Sequence, residues 1–422
     1  MKARRLLDDC FLHDAERLKH EEAIALILER VTCVAEQKRV SLKEASGRVL
    51  AEDVTAPRDV PGFANAAVDG YAFAHSSLSG GQTRLRVVGR AAAGDHEVPA
   101  LRPGEALRIF TGAIMPEGSD TCVMQEDVAP EGETIVMPKG VKPFANRRKA
   151  GEDMKAGEAI VRRGARLRPQ DIAALAAAGV AEVECFAPLK IGLISTGDEL
   201  VRPGEMLKRA QVYDSNHFML HALLQGTEAA IDDFGIIGDE RAAVDAAIEK
   251  AAERCHLVFS TGGASRGEAD HVIKAIQARG VLHGWQLAVK PGRPLGIGQI
   301  GDTVFLALPG NPVAVFVTFL LYGLPVLARL QGMNWLAPQR YGVRAGFSFA
   351  QKKQGRREFW RGWVEDTAQG PRLKKFARDG SGLISGLQQA RGLIEVGEDV
   401  TEVREGDMLD YIPFTEFGID PP

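Results

Sequence analysis

Three apolar segments in the middle of the chain each lead into a loop that could contact a phosphate group. The segments are 190–195, 256–260 and 303–308. The loops that follow contain Thr196, Gly197, Asp198 and Glu199, then Thr261, Gly262, Gly263, Ala264 and Ser265, and finally Pro309, Gly310 and Asn311. Glycine lets a backbone approach a ligand closely, and the N–H groups at the start of a following helix can bind an anion. Three such loops at one sheet edge predict an anion or nucleotide-like site.

Carboxylates accompany these loops. Glu199 ends the first loop, Asp270 follows the second, and Asp239 lies in the segment GIIGDER between them. Clustered carboxylate oxygens beside a phosphate site suit Mg²⁺, which prefers oxygen ligands. Asp239 could instead cap the helix that follows it, and Asp270 could stabilise a helix start through the helix dipole. The sequence leaves both explanations open.

Two basic clusters could hold an oxyanion. Lys290 and Arg293 occupy the turn KPGR, close to the predicted edge of the sheet. Arg148 lies between two further cations in a loop that leads to the segment GED. Cations in a rigid turn suit an oxyanion. Either cluster could also be a solvated surface.

Strands that alternate with helices must position these groups. Helices are predicted over 215–224, 240–253, 268–279 and 312–327. Apolar strands between helices predict an α/β domain with a parallel sheet covered on both faces. The apolar run 313–327 contains Gly and Pro and is predicted to be a buried helix, because a membrane span needs about 20 apolar residues.

The rest of the chain shows two other patterns. Helical periodicity covers 14–38, and 169–180 predicts a short helix with Pro near its start and Gly close to its end. Short β-rich runs at 83–88, 106–109, 121–124 and 134–137 alternate with Gly and Pro turns, which predicts an irregular β domain. After about residue 336 the short β runs return and predict a small C-terminal β-barrel or sandwich.

The composition excludes several classes of protein. The chain has 52 Lys and Arg against 56 Asp and Glu, and a net charge of −4 gives no electrostatic footprint for nucleic acid. Five scattered cysteines without C-x-x-C spacing argue against a disulfide framework or a structural zinc site, and favour a reducing, cytoplasmic location. No P-loop is present, so an unrelated nucleotide hydrolase has no support.

Several separate motifs resemble those of one enzyme family. The segment DVPGFANAAVDGYAF, residues 59–73, resembles the P-x-F-[DN]-x-S-x-M-D-G-[YF]-A signature of the MoeA family of molybdopterin molybdenumtransferases. RIFTGAIMPEGSD, AGED, STGDEL, STGGASRGEADH, KPGRP, LPGNPV and GRREFWR follow in the family's order up to residue 361. The resemblance therefore covers nearly the whole chain.

The resemblance implies four domains in an elongated chain. Residues 1–45 and 156–186 would form a helical linker domain, and 46–155 a β-rich domain. Residues 187–335 would form the molybdopterin-binding α/β domain, and 336–422 a C-terminal β-barrel. It also implies a homodimer, whose site would combine the α/β domain of one subunit with the β domain of the other. The expected fold class is thus α/β plus β.

The implied reaction inserts molybdate into adenylylated molybdopterin, with Mg²⁺-dependent release of AMP. Molybdate and the adenylylated pterin would be substrates and Mg²⁺ the cofactor. Protein partners of such an enzyme would be molybdopterin-adenylylating and cofactor-accepting proteins, with no role for nucleic acid or membrane. A non-catalytic scaffold related to the E domain of gephyrin is an alternative. A molybdopterin adenylyltransferase is another, although that enzyme is a single small domain.

Particular residues inherit roles. The functional acid of the signature falls on Asp69, and the implied catalytic set is Asp69, Thr111, Glu199, Asp239 and Asp270, of which Glu199, Asp239 and Asp270 would hold the metal. The predicted substrate-binding set from the loops and turns is Arg148, Thr196, Gly197, Gly262, Gly263, Ser265, Lys290, Arg293, Pro309, Gly310 and Asn311. From the C-terminal domain, Arg356 or Arg361 is expected to reach the oxyanion, and Ser381 or Ser385 to supply a hydroxyl.

The chain departs from the family pattern at five positions. Ala64, Ala66 and Val68 replace polar residues or Met in the signature. Arg293 replaces the second Lys of KPGKP, which keeps the charge but changes its geometry to a fork. Ala314 stands where the family usually has Ser, a candidate hydrogen-bond donor to molybdate. We expect this last change to affect molybdate rather than the adenylyl group.

Overall fold

The computed structural model describes residues 17–81, 83–262 and 271–420, which fall into two units. The first unit combines Met1–Gln37 with Phe186–Pro422, and the second is Lys38–Cys185. The four-domain division expected from the resemblance stays a prediction. Gly263, Ser265 and Asp270 lie outside the described residues.

A six-stranded sheet forms the centre of the first unit. In spatial order its strands are Ala230–Ile237, Lys190–Thr196, Leu257–Thr261, Thr303–Leu308, Pro294–Ile300 and Val281–Gln286. The first four are parallel to one another, as the apolar runs predict. Pro294–Ile300 runs antiparallel to both of its neighbours. The sheet is therefore mixed, and the prediction of a parallel sheet was wrong at this edge.

The antiparallel strand follows from the length of its connection. Only Gly301 and Asp302 separate Pro294–Ile300 from Thr303–Leu308, and Ile300 pairs directly with Thr303. Two residues can close a hairpin but cannot make the crossover that a parallel pair needs. The Gly-Asp pair between two apolar runs is the sequence signal for this hairpin.

Helices cover both faces of the sheet. Alternate strand residues separate the two faces: Leu257 and Phe259 join the larger apolar core, and Val258 joins the smaller one. Helices Arg241–Arg254 and His271–Arg279 pack in the smaller core. The larger core contains residues of the helices His20–Arg30, Ser215–Gln225, Pro312–Thr318 and Leu324–Leu330.

The segment Pro312–Leu330 is one continuous helix with a π-helical turn at Phe319–Gly323. It is long and apolar enough to cross a membrane, but 89% of its most apolar stretch is buried inside the protein. The prediction of a buried helix is confirmed. The first helix, His20–Arg30, is shorter than the predicted 14–38, and Val31 ends it in an extended conformation.

The C-terminal strands close into a barrel. Its five strands in order are Arg357–Thr367, Gly370–Lys375, Tyr341–Ala345, Met408–Pro413 and Gly392–Val396, and the last pairs again with the first. The closed pairing confirms the predicted barrel and excludes the alternative of a sandwich. The short strand Val289–Lys290 from the α/β part pairs in parallel with Arg357–Glu358. Smaller elements of this unit are the pair Leu200–Val201 and Val212–Tyr213, helix Ser385–Gln389 and the 3-10 helix Phe414–Phe417.

The second unit is built mainly from short strands, as the sequence predicts. A six-stranded sheet has the order Thr121–Met124, Gly70–Phe73, Glu105–Ile109, Arg84–Ala91, Thr134–Val136 and Ala129–Glu131. Paired short strands are Asn65–Ala66 with Arg147–Arg148, Val54–Thr55 with Ala159–Val161, and Gln37–Ser41 with Glu182–Phe186. Its helices are Leu42–Ala45, the 3-10 turns His75–Gly81 and Gln125–Asp127, and Pro169–Ala178, which Gly179 ends in the left-handed conformation.

His20 joins three parts of the first unit. Its ring lies edge-on to Tyr322 of the π-helical turn and to Phe359 of the barrel, and its Nδ1 is 3.0 Å from the Tyr322 hydroxyl. Burial, reinforced by nearby Arg357, lowers the pKa of His20 to about 4. Between pH 6.5 and 4 the unfolded chain therefore binds a proton that the folded chain does not, so stability falls as the pH falls through this window.

We predict that His20 contributes up to about 3 kcal/mol of this pH-dependent loss. In His20→Gln the free energy of unfolding should change less between pH 7 and pH 4 than in the wild type, even if the variant is less stable at pH 7. Denaturant unfolding at several pH values measures this. His96→Gln, at an exposed position, is the control and should keep the wild-type dependence. An unchanged dependence in His20→Gln would contradict the assignment.

Candidate functional site

A cavity of about 650 Å³ opens in the first unit where the strand-end loops face the barrel. Its walls come from three stretches of the α/β part and from the barrel. They include Gly262, Lys290, Arg293, Pro309, Gly310, Asn311, Val313, Ala314, Phe359, Trp360, Arg361, Lys375, Phe376, Asp379 and Ser381. The structure therefore brings six residues of the predicted loop and turn set and two of the predicted barrel residues to one place, together with Ala314.

The KPGR turn presents its two cations at this cavity. Strand pairing with the barrel fixes Lys290, whose Nζ lies 3.7 Å from Oε2 of Glu358. Arg293 is exposed; its carbonyl accepts the N–H of Leu287 at 2.8 Å, and no described residue forms a hydrogen bond or ion pair with its guanidinium. The guanidinium of Arg293 is thus available to an oxyanion.

Gly292 packs this turn against the helix that follows the third loop. Its φ is +93°, and a Cβ atom built there would lie 2.2 Å from Cγ2 of Thr318. Any side chain at this position would have to displace the turn or the helix. The position of Lys290 and Arg293 therefore depends on this glycine.

The third loop is tied to its surroundings on both sides. Nδ2 of Asn216, in the helix Ser215–Gln225, donates to the Gly310 carbonyl at 2.7 Å. The N–H of Val313 donates to the carbonyl of Ser381 at 2.9 Å, which joins the helix start to a barrel loop. Ala314 lines the cavity but is almost completely buried, at 4% exposure. Its missing hydroxyl therefore leaves an apolar patch on the cavity wall.

Arg361 lines the cavity, but its N–H groups are already occupied. They donate to the carbonyls of Leu383, Arg378 and Gly380 at 2.8–3.1 Å. The side chain is buried, which lowers the pKa of the guanidinium, and its charge is not paired with a described carboxylate closer than 4 Å. Arg361 thus holds the loop that carries Ser381, and its positive charge still contributes to the potential in the cavity.

The other two candidates from the barrel lie elsewhere. Ser385 begins the helix Ser385–Gln389, is exposed and is not among the lining residues. Arg356 pairs with Glu358 and lines a second, smaller cavity that shares the KPGR turn. Of the two alternatives at each position, the structure places Arg361 and Ser381 at the large cavity.

Several lining residues were not predicted from the sequence. Lys375 donates to Asp379 at 2.7 Å and lies over the rings of Phe349 and Trp360. Phe376 adds another aromatic wall, at 4.9 Å from the Arg361 guanidinium. The only signal for these residues is the segment KKF at the end of a barrel strand, which by itself looks like a solvated edge.

The acids lie on the two neighbouring strands of the same sheet edge. Thr196 and Ile237 are in register, so Glu199 and Asp239 follow within three residues on adjacent strands. Both side chains are exposed, and no described residue forms an ion pair with either. Asp198 is already used, because its carboxylate accepts the N–H of Asp239 at 3.0 Å.

The described residues supply only part of the predicted metal site. Among them no group of three His, Cys, Asp or Glu residues could hold a metal ion. Unpaired carboxylate oxygens at 199 and 239 fit the ligand preference of Mg²⁺, and the third predicted ligand, Asp270, belongs to the part of the chain that is not described. The donor chemistry therefore agrees with Mg²⁺, and the complete set stays a prediction.

Thr196 and Gly197 lie between the acids and the cavity. The Thr196 hydroxyl donates to the Thr261 carbonyl at 3.3 Å, and Gly262 approaches the Thr196 carbonyl closely. The carboxylate of Glu199 folds back over Gly197. Neither Thr196 nor Gly197 lines the large cavity. Their contacts with Thr261 and Gly262 connect the loop of Glu199 to a loop that does line it.

In the second unit, Asp69 is anchored by Thr111. Oδ1 of Asp69 accepts the Thr111 N–H at 2.8 Å and the Thr111 hydroxyl at 2.9 Å. These bonds, the one from the Thr111 N–H first, hold the pKa of the carboxyl below its usual range. The exposed Asp69 is therefore ionised at neutral pH. The next residue, Gly70, must lack a side chain because a Cβ there would lie 1.8 Å from the Val123 carbonyl oxygen. The predicted pair of Asp69 and Thr111 is therefore a rigid, charged group.

The signature segment also pairs with the second basic cluster. Arg148 lies opposite Asn65 in a short antiparallel ladder and is exposed. The three replaced positions of the signature have a packing explanation. Ala66 is fully buried, and Ala64 and Val68 pack against the same apolar cluster. Apolar residues at these positions therefore extend the core, while Asp69 is exposed.

Three family models together match most of the chain. Residues 18–179 match the MoeA N-terminal region (domain I and II), 192–329 a probable molybdopterin binding domain, and 343–414 the MoeA C-terminal region (domain IV). The molybdopterin molybdenumtransferase of Haemophilus influenzae is 37% identical over 393 residues, which cover 90% of this chain and 97% of that protein. Molybdopterin molybdenumtransferase 2 of Mycobacterium tuberculosis is 32% identical over 91% of this chain and 98% of its own length.

Solved structures agree with these relatives. A molybdopterin biosynthesis moeA protein from Pyrococcus horikoshii has a TM-score of 0.81 at 30% identity and covers 94% of this chain and 100% of its own. A second crystal structure of the protein from Pyrococcus has a TM-score of 0.77 at 30% identity, and covers 94% of this chain and 99% of its own.

We predict that Gly292→Ala destabilises the protein more than Gly204→Ala. Both glycines have positive φ, which costs about 1 kcal/mol for alanine, but a Cβ at Gly204 meets no atom. The clash at Gly292 should add roughly 1–3 kcal/mol. Denaturant unfolding compares the two.

The double variant Gly292→Ala, Thr318→Ser provides the matched test of the clash. It removes Cγ2 of residue 318 and keeps the hydroxyl that bonds to the Ala314 carbonyl. Part of the stability lost in Gly292→Ala should return. Equal losses for Gly292→Ala and Gly204→Ala would mean that the contact with Thr318 is unimportant.

Proposed function

The chain belongs to the MoeA family of molybdopterin molybdenumtransferases, and from this premise we propose that it inserts molybdate into adenylylated molybdopterin and releases AMP in a Mg²⁺-dependent step. It is a transferase of molybdenum cofactor biosynthesis. The observation that carries the detailed proposal is the large cavity, in which the cationic KPGR turn faces the third strand-end loop and the barrel.

The cavity suits a small dianion beside a larger ligand. Lys290 and Arg293 bring two positive charges to one wall, and Arg361 adds a buried charge behind the loop of Ser381. Charge-assisted hydrogen bonds to an oxyanion are the strong kind. We assign this wall to molybdate. Ser381 could supply a hydroxyl near Ala314, because its carbonyl accepts the N–H of Val313, the residue before Ala314, and it lines the same cavity.

The strand-end loops would bind the pterin and its phosphates. Gly262 and Gly310 are neighbours: a Cβ built on Gly310 would lie 4.0 Å from Cα of Gly262. Such an edge leaves room for a ligand to approach the backbone. The same assignment includes Thr196, Gly197 and Asn311, with Gly263 and Ser265 outside the described residues.

Mg²⁺ would be held by Glu199, Asp239 and Asp270. When bound, such an ion polarises the phosphate oxygens and lowers the pKa of water. Glu199 and Asp239 lie at the exposed edge and would position the pyrophosphate end of the substrate. Attack of water on this pyrophosphate forms one new P–O bond and breaks the bond to the AMP phosphate. AMP then leaves the edge of the sheet, which is open to solvent.

The resemblance further supports a homodimer in the cytoplasm. We propose that Asp69, Thr111 and Arg148 act with the α/β residues of the partner subunit, since the ionised Asp69 has no described cationic partner within 4 Å. Cys122 and Cys255 are buried thiols.

One assay separates this function from a scaffold. The protein is incubated with adenylylated molybdopterin, Mg²⁺ and molybdate, and AMP and the molybdenum cofactor are measured. An enzyme produces both, whereas a scaffold binds the pterin without releasing AMP. A protein that neither binds the pterin nor releases AMP would disprove the proposed function.

We predict that Arg293→Ala raises the molybdate concentration for half-maximal cofactor yield about ten- to a hundredfold. Loss of one charge-assisted contact of about 1.5–3 kcal/mol has this effect. Pterin binding, followed separately, should change little. Ala314→Ser should lower the required molybdate modestly or leave it unchanged. Lys374→Ala, a barrel lysine outside the cavity lining, is the control.

One result for Arg293→Ala would contradict the assignment of molybdate to the KPGR turn. An unchanged molybdate curve with weakened pterin binding would mean that the KPGR turn holds the substrate phosphate. Molybdate would then belong elsewhere in the cavity.

We predict that Glu199→Gln, Asp270→Asn and Asp69→Asn each greatly reduce AMP release while the melting temperature stays near that of the wild type. A carboxylate that only stabilised the fold would lower the melting temperature instead. AMP release at limiting Mg²⁺ measures the effect. Full activity of Glu199→Gln or Asp270→Asn under that condition would show that the substituted residue is not a ligand of the metal.

Co-expression of two inactive variants tests the dimer. Half of randomly paired Glu199→Gln and Asp69→Asn subunits form mixed dimers, and a site shared between subunits is intact once in each, so about a quarter of wild-type activity should return. If the site lay within one subunit, both sites of each mixed dimer would carry one defect and no activity would return.

A further inference from the structure

A second cavity shares the KPGR turn with the large one. Its volume is about 240 Å³, and its lining is Arg17, Leu287, Val289, Lys290, Pro291, Gly292, Arg293, Lys353 and Arg356. Five of these nine residues are basic and none is acidic. Lys290 and Arg293 belong to both cavities, whereas Arg17, Lys353 and Arg356 line only the small one.

A buried carboxylate orients the cations from behind. Glu358 is 1% exposed and accepts from Nε and Nη2 of Arg356 at 2.9 and 2.8 Å. Its other oxygen accepts from the Trp360 indole N–H at 2.8 Å and lies 3.7 Å from Nζ of Lys290. One carboxylate thus offsets part of the charge of two cations, and three further cations remain without a described carboxylate.

The loop of Lys353 and Arg356 is held in place by a second buried charge. Nζ of Lys352, which is 4% exposed, donates to the Arg356 carbonyl at 2.8 Å and to the Lys353 carbonyl at 3.3 Å. The N–H of Gly355 donates to the Glu398 carbonyl at 3.0 Å. Burial lowers the pKa of Lys352, and the carboxylates of Glu358, Glu398 and Asp399 act in the opposite direction. Lys352 therefore fixes the backbone that presents Lys353 and Arg356 to the cavity.

We propose that the small cavity is a separate binding site for a tetrahedral oxyanion, namely phosphate, either as the free ion or as the terminal group of a monoester. The lining combines forked guanidinium groups with point-like ammonium groups, which together match such an ion. The volume lies below the range of cavities that bind drug-sized ligands, which excludes the pterin with its adenylyl group. The proposal goes beyond the molybdate assignment and does not depend on it.

The shared turn gives the site a consequence for the large cavity. The Arg293 guanidinium has no described partner, and Arg293 lines both cavities, so a phosphate in the small one competes for this group. Phosphate should therefore raise the molybdate concentration needed for half-maximal turnover. This effect should be smaller in variants that lose the small site.

The test is calorimetric titration of the full-length protein with inorganic phosphate, and separately with glycerol 3-phosphate, without pterin or molybdate. Lys353→Ala and Arg17→Ala should each weaken phosphate binding about three- to tenfold, because each removes one exposed cation from the site. Lys374→Ala and Lys375→Met are matched controls. Lys374 lines neither cavity, and Lys375 lines only the large one, so neither change should affect phosphate.

Phosphate binding that is lost in Lys375→Met but kept in Lys353→Ala would place the ion in the large cavity and overturn the proposal, as would no binding at millimolar phosphate. Tighter binding of the ester than of the ion supports the site and identifies a monoester as its ligand. Equal affinities support the site with the free ion as ligand. The titrations contain neither pterin nor molybdate, so their result does not depend on AMP release. A failure of the proposed function can therefore be distinguished from a failure of the phosphate site.

Discussion

The short parallel pairing of Val289–Lys290 with Arg357–Glu358 ties the KPGR turn, with its cations Lys290 and Arg293, to the barrel. It makes the KPGR turn the common wall of the two cavities, and the N–H of Arg357 adds a bond to the Ala288 carbonyl at 2.8 Å. Without this pairing, Lys290 and Arg293 would sit on an ordinary surface loop. The large cavity, which needs both the α/β loops and the barrel, would then have no shared wall.

The alternation of side chains along the barrel strand explains how one segment serves several purposes. Glu358 and Trp360 point to the same side and bond to each other, while Arg357 and Phe359 point to the other. Phe359 enters the large apolar core, and Arg357 forms ion pairs with Glu21, Glu395 and Glu398. Removal of its cations would leave Glu358 as an unpaired buried charge, which is costly. The members of this network therefore depend on one another.

The sequence allowed the prediction of the elements whose signals are local. Apolar runs predicted the strands ending at Thr196, Thr261 and Leu308, and Gly179 marked a helix end. The antiparallel strand Pro294–Ile300 was missed because its Gly-rich pattern, LGIGQI, hides a strand that is buried on both faces. The strand pairing of Lys290 and the carbonyl partners of Arg361 depend on contacts between distant segments, which no local pattern contains.

The same limit explains why a functional motif can be identified before its geometry. GRREFWR marked the arginines correctly as a group, but only the fold separates Arg356, which faces the small cavity, from Arg361, which holds a loop. That loop carries Ser381, and the carbonyl of Ser381 caps the helix start beside Ala314. If molybdate binds at this wall as we propose, Ser381 could supply a hydroxyl in place of one at position 314 only while Arg361 keeps the loop in place. Under that proposal, Arg361 would act on molybdate through Ser381 as well as through its own charge.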